Sequence, residues 1–175
     1  MIIPPSPNPP RFFEGKKLKQ AVSANTPARF LEGLSQAVSW ASQTGVMLAL
    51  ENTERSLTSI AQTLRYVNQL NSPWLQLYGD IGNLNALGYD VTTELVAGAG
   101  HLAGLHVKDT LPGQFRNVAL GSGTVPFVQA FRALWQIGFS GPILLEMWGG
   151  DEEQPIQTIT AARQWLQARL AESLS

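Results

Sequence analysis

Glu51, Asp80, His106 and Glu146 each close a short apolar run: Val46 to Leu50, Trp74 to Gly79, Leu102 to Leu105 and Pro142 to Leu145. Runs of this length suit strands, and neighbouring parallel strands set their last residues side by side along one carboxyl edge, where α/β proteins place their chemistry. One imidazole and three carboxylates arriving from four strand ends form a ligand set for a divalent cation of the Mn²⁺, Mg²⁺ or Co²⁺ type, with Zn²⁺ also admissible. A lone glutamate after a strand is more often a loop hydrogen bonder or a helix cap; repetition over four consecutive strands favours the metal. The two glutamates, on the first and last of these strands, approach a bound ligand from different sides. If a sugar is held through a carbonyl and the adjacent hydroxyl, the cation acidifies the carbon between them and steadies the enediolate. One carboxylate removes the proton, the other returns it to the opposite face, and the product is an epimer. Both transfers on one face, with a change of carbon, would interconvert aldose and ketose.

The loop after the third run adds cations, Lys108 and Arg116, and the stretch Gly121-Ser122-Gly123-Thr124. Its backbone N–H groups, with a helix starting near Pro126, could hold a phosphate; Thr124 as an N-cap accounts for the same glycines equally well.

At 175 residues the chain fits one domain with a sizeable core. Twelve Lys and Arg against thirteen Asp and Glu give no electrostatic reason to expect nucleic acid or an anionic membrane as partner. The absence of cysteine excludes thiolate ligands, disulfides and cysteine nucleophiles. The first residues lack a signal pattern and no eighteen apolar residues run together, so a soluble cytoplasmic protein is expected.

Five prolines among the first ten residues predict an unstructured tail over 1–25, leaving 26–175 as the domain. A helix entering at Thr26-Pro27 carries Phe30, Leu31, Leu34, Val38 and Ala41 on one face and stops at Gly45. The strand at 46–50 reads as buried on both faces. Ser56 is expected to cap a helix bearing Leu57, Ile60, Leu64, Val67 and Leu70, stopped by Asn71-Ser72-Pro73. A strand at 74–79 leads into a loop through Gly88, and a weak helix spans roughly 90–99. A strand at 102–107, a long connection from Lys108 to Thr124 and a helix carrying Phe127, Ala130, Phe131, Leu134 and Trp135 follow. The last strand, 142–147, passes through Trp148-Gly149-Gly150-Asp151 to a helix with Ile156, Ile159, Ala162, Trp165 and Leu166 inward. These make four consecutive βα units.

From about Thr26 to Ala171, most closely from Trp74 to Trp148, the chain resembles the carboxyl-terminal half of L-ribulose-5-phosphate 3-epimerases (L-xylulose-5-phosphate 3-epimerases), within the xylose isomerase-like TIM-barrel superfamily. The likeness is carried by Gln76-Leu77-Tyr78-Gly79-Asp80-Ile81-Gly82-Asn83, by His106-Val107-Lys108-Asp109-Thr110 with Pro112-Gly113, and by Leu145-Glu146-Met147-Trp148. It implies an α/β (β/α)₈ barrel, here about half of one, with strands equivalent to the fifth to eighth and a preceding helix. It also implies a metal held by Glu51, Asp80, His106 and Glu146, of which Glu51 and Glu146 move the proton. The family's phosphorylated substrate strengthens the phosphate reading of the loop from Lys108 to Thr124. Asn83 stands where free-ketose epimerases of the superfamily often have histidine, which favours the phosphosugar branch. Asn83, Lys108, Arg116, Gly121 and Gly123 form the expected substrate-binding set.

The first four strands of that barrel have no counterpart here. Unpaired outer edges and an exposed concave face are therefore expected, and with them homo-oligomerisation. The alternatives are a truncated, inactive half-barrel that binds metal or a partner, an aldose-ketose isomerase, and a phosphodiester hydrolase, which would need more histidines than His101 and His106.

Overall fold

Alternation along the second strand sets the architecture. Leu75, Leu77 and Gly79 of β2 (Leu75–Asp80) are buried on one side, while Gln76, Tyr78 and Asp80 lie on the other. The computed structural model describes residues 26–147 and 155–175, so the tail assigned to 1–25 and the Trp148 to Asp151 turn fall outside the described residues. The remaining elements are α1 (Thr26–Thr44), β1 (Leu48–Glu51), α2 (Ile60–Leu70), α3 (Ile81–Ala86), α4 (Val91–Ala97), β3 (Leu102–Val107), α5 (Phe127–Gln136), β4 (Ile143–Leu145) and α6 (Pro155–Ser173).

The four strands form one parallel sheet in the order β1-β2-β3-β4, as expected of half a (β/α)₈ barrel. Its core lies between the sheet and the helices, where Leu75, Leu77, Leu105 and Val107 meet Ile60, Val67, Leu95, Phe131 and Leu134. None of the described helices is long and apolar enough to cross a membrane.

Several local expectations change. The first strand is not buried on both faces: Leu48 and Leu50 pack on the core, but Ala49 is exposed on the face of β1 away from the helices, and Val46 and Met47, more than half exposed, precede the strand. The segment after Asp80, expected as a loop, folds into α3, since the Asp80 side chain caps it by accepting from Asn83 N. The following helix begins at Val91 behind a second aspartate cap, Asp90. On α6, Ala162 and Leu166 are buried as expected, but Ile156 and Ile159 are exposed.

The second helix starts three residues later than its apolar spacing suggests. Ser59, not Ser56, is the N-cap: its hydroxyl accepts from Gln62 N at 3.0 Å, and Gln62 Oε1 in return accepts from Thr58 N at 2.9 Å. At the other end, Asn71 adopts the left-handed conformation (φ 43°) and donates its N–H to Val67 O at 2.9 Å, which stops the helix where expected. Ser59→Ala is expected to cost about 1 kcal/mol in urea denaturation. Ser56→Ala should stay within about 0.5 kcal/mol of the parent chain, and a larger loss there would place the cap wrongly.

Candidate metal centre

Asp80 is fully buried where β2 becomes α3. Asn83 holds it twice, with its backbone N donating to Oδ1 at 2.9 Å and its Nδ2 to Oδ2 at 2.8 Å. The same Nδ2 reaches Asn52 O at 3.0 Å. Asn52, just beyond β1, uses its side-chain amide as one more rung of the β1–β2 ladder: Nδ2 donates to Asp80 O at 2.9 Å and Oδ1 accepts from Asp80 N at 2.7 Å. The carboxylate is thus fixed by its own backbone as well as by its partners.

His106 is the register partner of Asp80 on the next strand. Its Nδ1 lies 2.8 Å from Glu51 Oε1 and 3.9 Å from Glu146 Oε2. A carboxylate only accepts, so Nδ1 carries the proton in this arrangement. The Tyr78 ring packs edge-on against the imidazole with centroids 4.6 Å apart, in space left by Gly104, where a Cβ would meet the phenol ring. Burial, and then the nearby Glu51 charge, hold the Tyr78 phenol above its ordinary pKa. Glu146 follows β4 and prolongs the ladder through its N–H to Val107 O at 2.9 Å. One ligand atom from each of Glu51, Asp80, His106 and Glu146 lies within 4.8 Å of the others. Three carboxylate oxygens and one imidazole nitrogen at this separation suit a divalent ion.

Lys108, placed by sequence reasoning in the substrate-binding set, lies inside this cluster. Its Nζ is 2.9 Å from Asp80 Oδ2 and 3.0 Å from Glu146 Oε2, and the residue is almost completely buried. Burial alone would lower its pKa, but Asp80 and Glu146 outweigh that and hold the ammonium above the ordinary lysine value. Asp80 is pushed the other way in charge: burial raises its carboxyl to about 6 against the pull of Lys108 and the Asn83 N–H. At neutral pH both groups remain charged and the pair is intact.

The other expected substrate contacts are engaged within the chain. Gly121 N and Gly123 N both donate to Asp109 Oδ2, at 2.8 and 2.9 Å, while Thr110 N and Val125 N reach Oδ1. The glycine loop therefore wraps an internal carboxylate, and a Cβ on Gly123 would collide with it. Asn83 is tied to Asp80 and Asn52. Arg116 is half exposed, with Nη2 2.8 Å from Glu54 Oε1 on the loop after β1. A cleft of about 490 Å³ opens beside the cluster between Lys108, Asn117, Leu120, Glu146 and Trp165. Asn52 was missed by sequence reasoning, and its amide-to-backbone pairing leaves no signal in the sequence. The position of Lys108 did have one, since two residues beyond His106 it falls on the same face of the chain.

Two outcomes follow from Asp80. A carboxyl whose pKa is higher folded than unfolded stabilises the fold when protonated, fully below its ordinary value of 3.8, and the contribution is lost as pH rises through about 6. Metal-free protein should lose stability relative to Asp80→Asn over that window, by roughly 2 to 3 kcal/mol in denaturant titrations; parallel pH curves would sink the assignment. Asn52→Ala should cost about 1 to 3 kcal/mol, because it leaves the buried Asp80 N–H and C=O without partners. Stability unchanged in that variant would show that the amide pairing holds nothing.

A sequence model of the xylose isomerase-like TIM barrel matches residues 10–169, beginning inside the segment assigned to a tail. L-ribulose-5-phosphate 3-epimerase UlaE of Salmonella paratyphi A is 46% identical over 155 residues, covering 88% of this chain and 55% of that protein. The protein of the same name from Escherichia coli K12 gives the same identity and coverage. This chain thus spans about half the length of the curated relatives it matches. Among solved structures, an L-ribulose 3-epimerase superposes with a TM-score of 0.72 at 21% identity, over 88% of this chain and 57% of that one. The 3-keto-D-glucoside 4-epimerase YcjR of E. coli gives 0.71 at 20%, over 85% and 57%. At such identities the superpositions speak for the fold. With the family model matched over most of its length, the chain belongs to the xylose isomerase-like TIM barrel family.

Proposed function

We propose that this chain carries the metal-binding and proton-transferring part of an epimerase acting at C3 of a ketopentose phosphate, L-ribulose 5-phosphate or L-xylulose 5-phosphate. The observation that carries this reading is the meeting of Glu51 and Glu146, from the two outermost strands, at one cluster with Asp80 and His106 between them. Its likeness to L-ribulose-5-phosphate 3-epimerases, 46% identical, supplies the substrate class.

Glu51, Asp80, His106 and Glu146 would hold a divalent ion, Mn²⁺, Mg²⁺ or Co²⁺ before Zn²⁺. When bound, the ion supplies the positive charge that acidifies C3 and steadies the enediolate of the sugar. One of the two glutamates takes the C3 proton as a carboxylate. The other delivers a proton to the opposite face, and the proton balance is restored through solvent. Asp80, anchored by Asn52 and Asn83, gives the site its rigidity, and His106 is oriented by Glu51 and Tyr78. Of the two expected cations, Lys108 is buried against Asp80 and Glu146, whereas Arg116 is half-exposed and so open to a phosphate, with Glu54 as a partner it already holds.

Among the described residues β1 and β4 each have one strand neighbour, and Ala49 and Leu144 are exposed. A second copy would supply four further strands, and a dimer is the expected oligomer; sizing chromatography reads this directly. The same outer strands favour, as a second reading, a domain that binds metal without turnover.

The deciding experiment follows epimerisation of L-ribulose 5-phosphate by Mn²⁺-loaded protein, using NMR in D₂O to detect both product and C3 deuterium. Turnover is expected, with Glu51→Gln and Glu146→Gln each lowering it by about 100-fold or more. Folded, metal-loaded protein that produces neither epimer nor exchange would favour the second reading.

A further inference from the structure

Lys108 reaches the cluster by a prepared route. Its stem passes α3 at Gly82, where a Cβ would collide with Lys108 Cγ and press on its carbonyl oxygen. Its Nζ then bridges Asp80 Oδ2 at 2.9 Å and Glu146 Oε2 at 3.0 Å. Asp80 Oδ2 also accepts from Asn83 Nδ2, so both lone pairs of that oxygen are engaged. The carboxylates on either side of His106 are therefore already joined by a cation that belongs to the chain.

We propose that the Lys108 ammonium is the resident counter-cation of the carboxylate cluster, and that a divalent ion enters by exchange with it, taking over oxygens of Asp80 and Glu146 as the lysine side chain withdraws. This rests on the metal reading of the cluster given above. Three carboxylates converge here, Asp80 fully buried and Glu51 and Glu146 part-exposed, and they repel one another, most strongly where Asp80 is shielded from water. One tethered ammonium, together with the hydrogen bond from His106 to Glu51, holds them in position without an ion. The same contact opposes the ion, because a short tether keeps the ammonium at high effective concentration at the oxygens the ion needs. The cleft bounded by Lys108, Leu120 and Trp165 gives the displaced side chain room. No covalent bond changes; one cation replaces another.

The test compares metal-stripped wild type with Lys108→Met, which keeps the apolar stem and removes the charge. Mn²⁺ affinity is read by competition with a fluorescent chelator, and folding by circular dichroism on the same samples. The variant is expected to bind Mn²⁺ tighter by about tenfold or more, the scale of a charge-assisted hydrogen bond no longer contested. Its metal-free form should melt below wild type, with the gap closing at saturating Mn²⁺. If wild type binds one ion and the variant binds it equally or more weakly, the exchange is overturned while the metal centre stands. If wild type binds no Mn²⁺, the metal reading falls and takes the exchange with it. A variant that is unfolded alone but folds on Mn²⁺ addition supports the exchange. One that stays unfolded with Mn²⁺ overturns it, since charge would not be what Lys108 supplies.

Discussion

A carboxylate with no access to water, at the point where β2 turns into α3, is the constraint around which this structure is arranged. A buried charge is tolerated only when it is paired and hydrogen-bonded, and every partner of Asp80 comes from a different part of the chain. Asn52 comes from the end of β1, Asn83 from the first turn of α3, and Lys108 from the end of β3. Satisfying one residue, its backbone through Asn52 and its carboxylate through Asn83 and Lys108, thus ties three consecutive βα units together at their carboxyl ends. Burial still dominates the balance, since the carboxyl remains at about 6 despite these partners. A group so poised suits a ligand whose charge is to be shared with a cation.

The stretch Lys108-Asp109-Thr110 shows the same economy of construction. Lys108 turns toward the cluster, Asp109 gathers the N–H groups of Thr110, Gly121, Gly123 and Val125, and Thr110 donates its hydroxyl to Gly82 O at 2.9 Å. One residue sets the site's charge, the next folds the long loop beside it, and the third fastens both to α3. Gly123 is needed for close approach to the internal anion, while Gly121 is required by its positive φ (83°) and by the Trp165 ring packed against it; the two N–H groups still converge on one carboxylate, by the same physics that lets such loops bind phosphate from outside.

That substitution explains where sequence reasoning reached and where it stopped. The strand positions and the four converging ligand-type residues were legible because each depends on a local pattern, an apolar run ended by one polar residue. The parallel order followed from the intervening helices. Asp80 also caps α3, which the apolar run ending at it does not reveal, because the run marks only where the strand stops. The partners of Gly121, Gly123 and Asn83 were not legible, because a donor's spacing shows that it is available and not which acceptor it meets. Ile156 and Ile159 lay on a sound helical stripe, but how far that stripe is covered depends on neighbours rather than on period.

The distribution of side-chain lengths across the sheet bears on why the cluster forms at all. On a flat sheet β1 and β4 would stand about 14 Å apart, three strand spacings, yet ligand atoms from all four strands come within 4.8 Å. Curvature of the sheet closes part of that distance, and the side chains close the rest. The short aspartate and the compact imidazole sit on the two central strands, and the longer glutamates sit on the two outer ones. Convergence is thus a property of four adjacent curved strands in register, and it needs no contribution from the opposite side of a barrel. The exposed Ala49 and Leu144 face away from the helices, on the side a closed barrel would fill. The positions of the four ligand-type side chains thus depend on this sheet alone, whatever covers its exposed face.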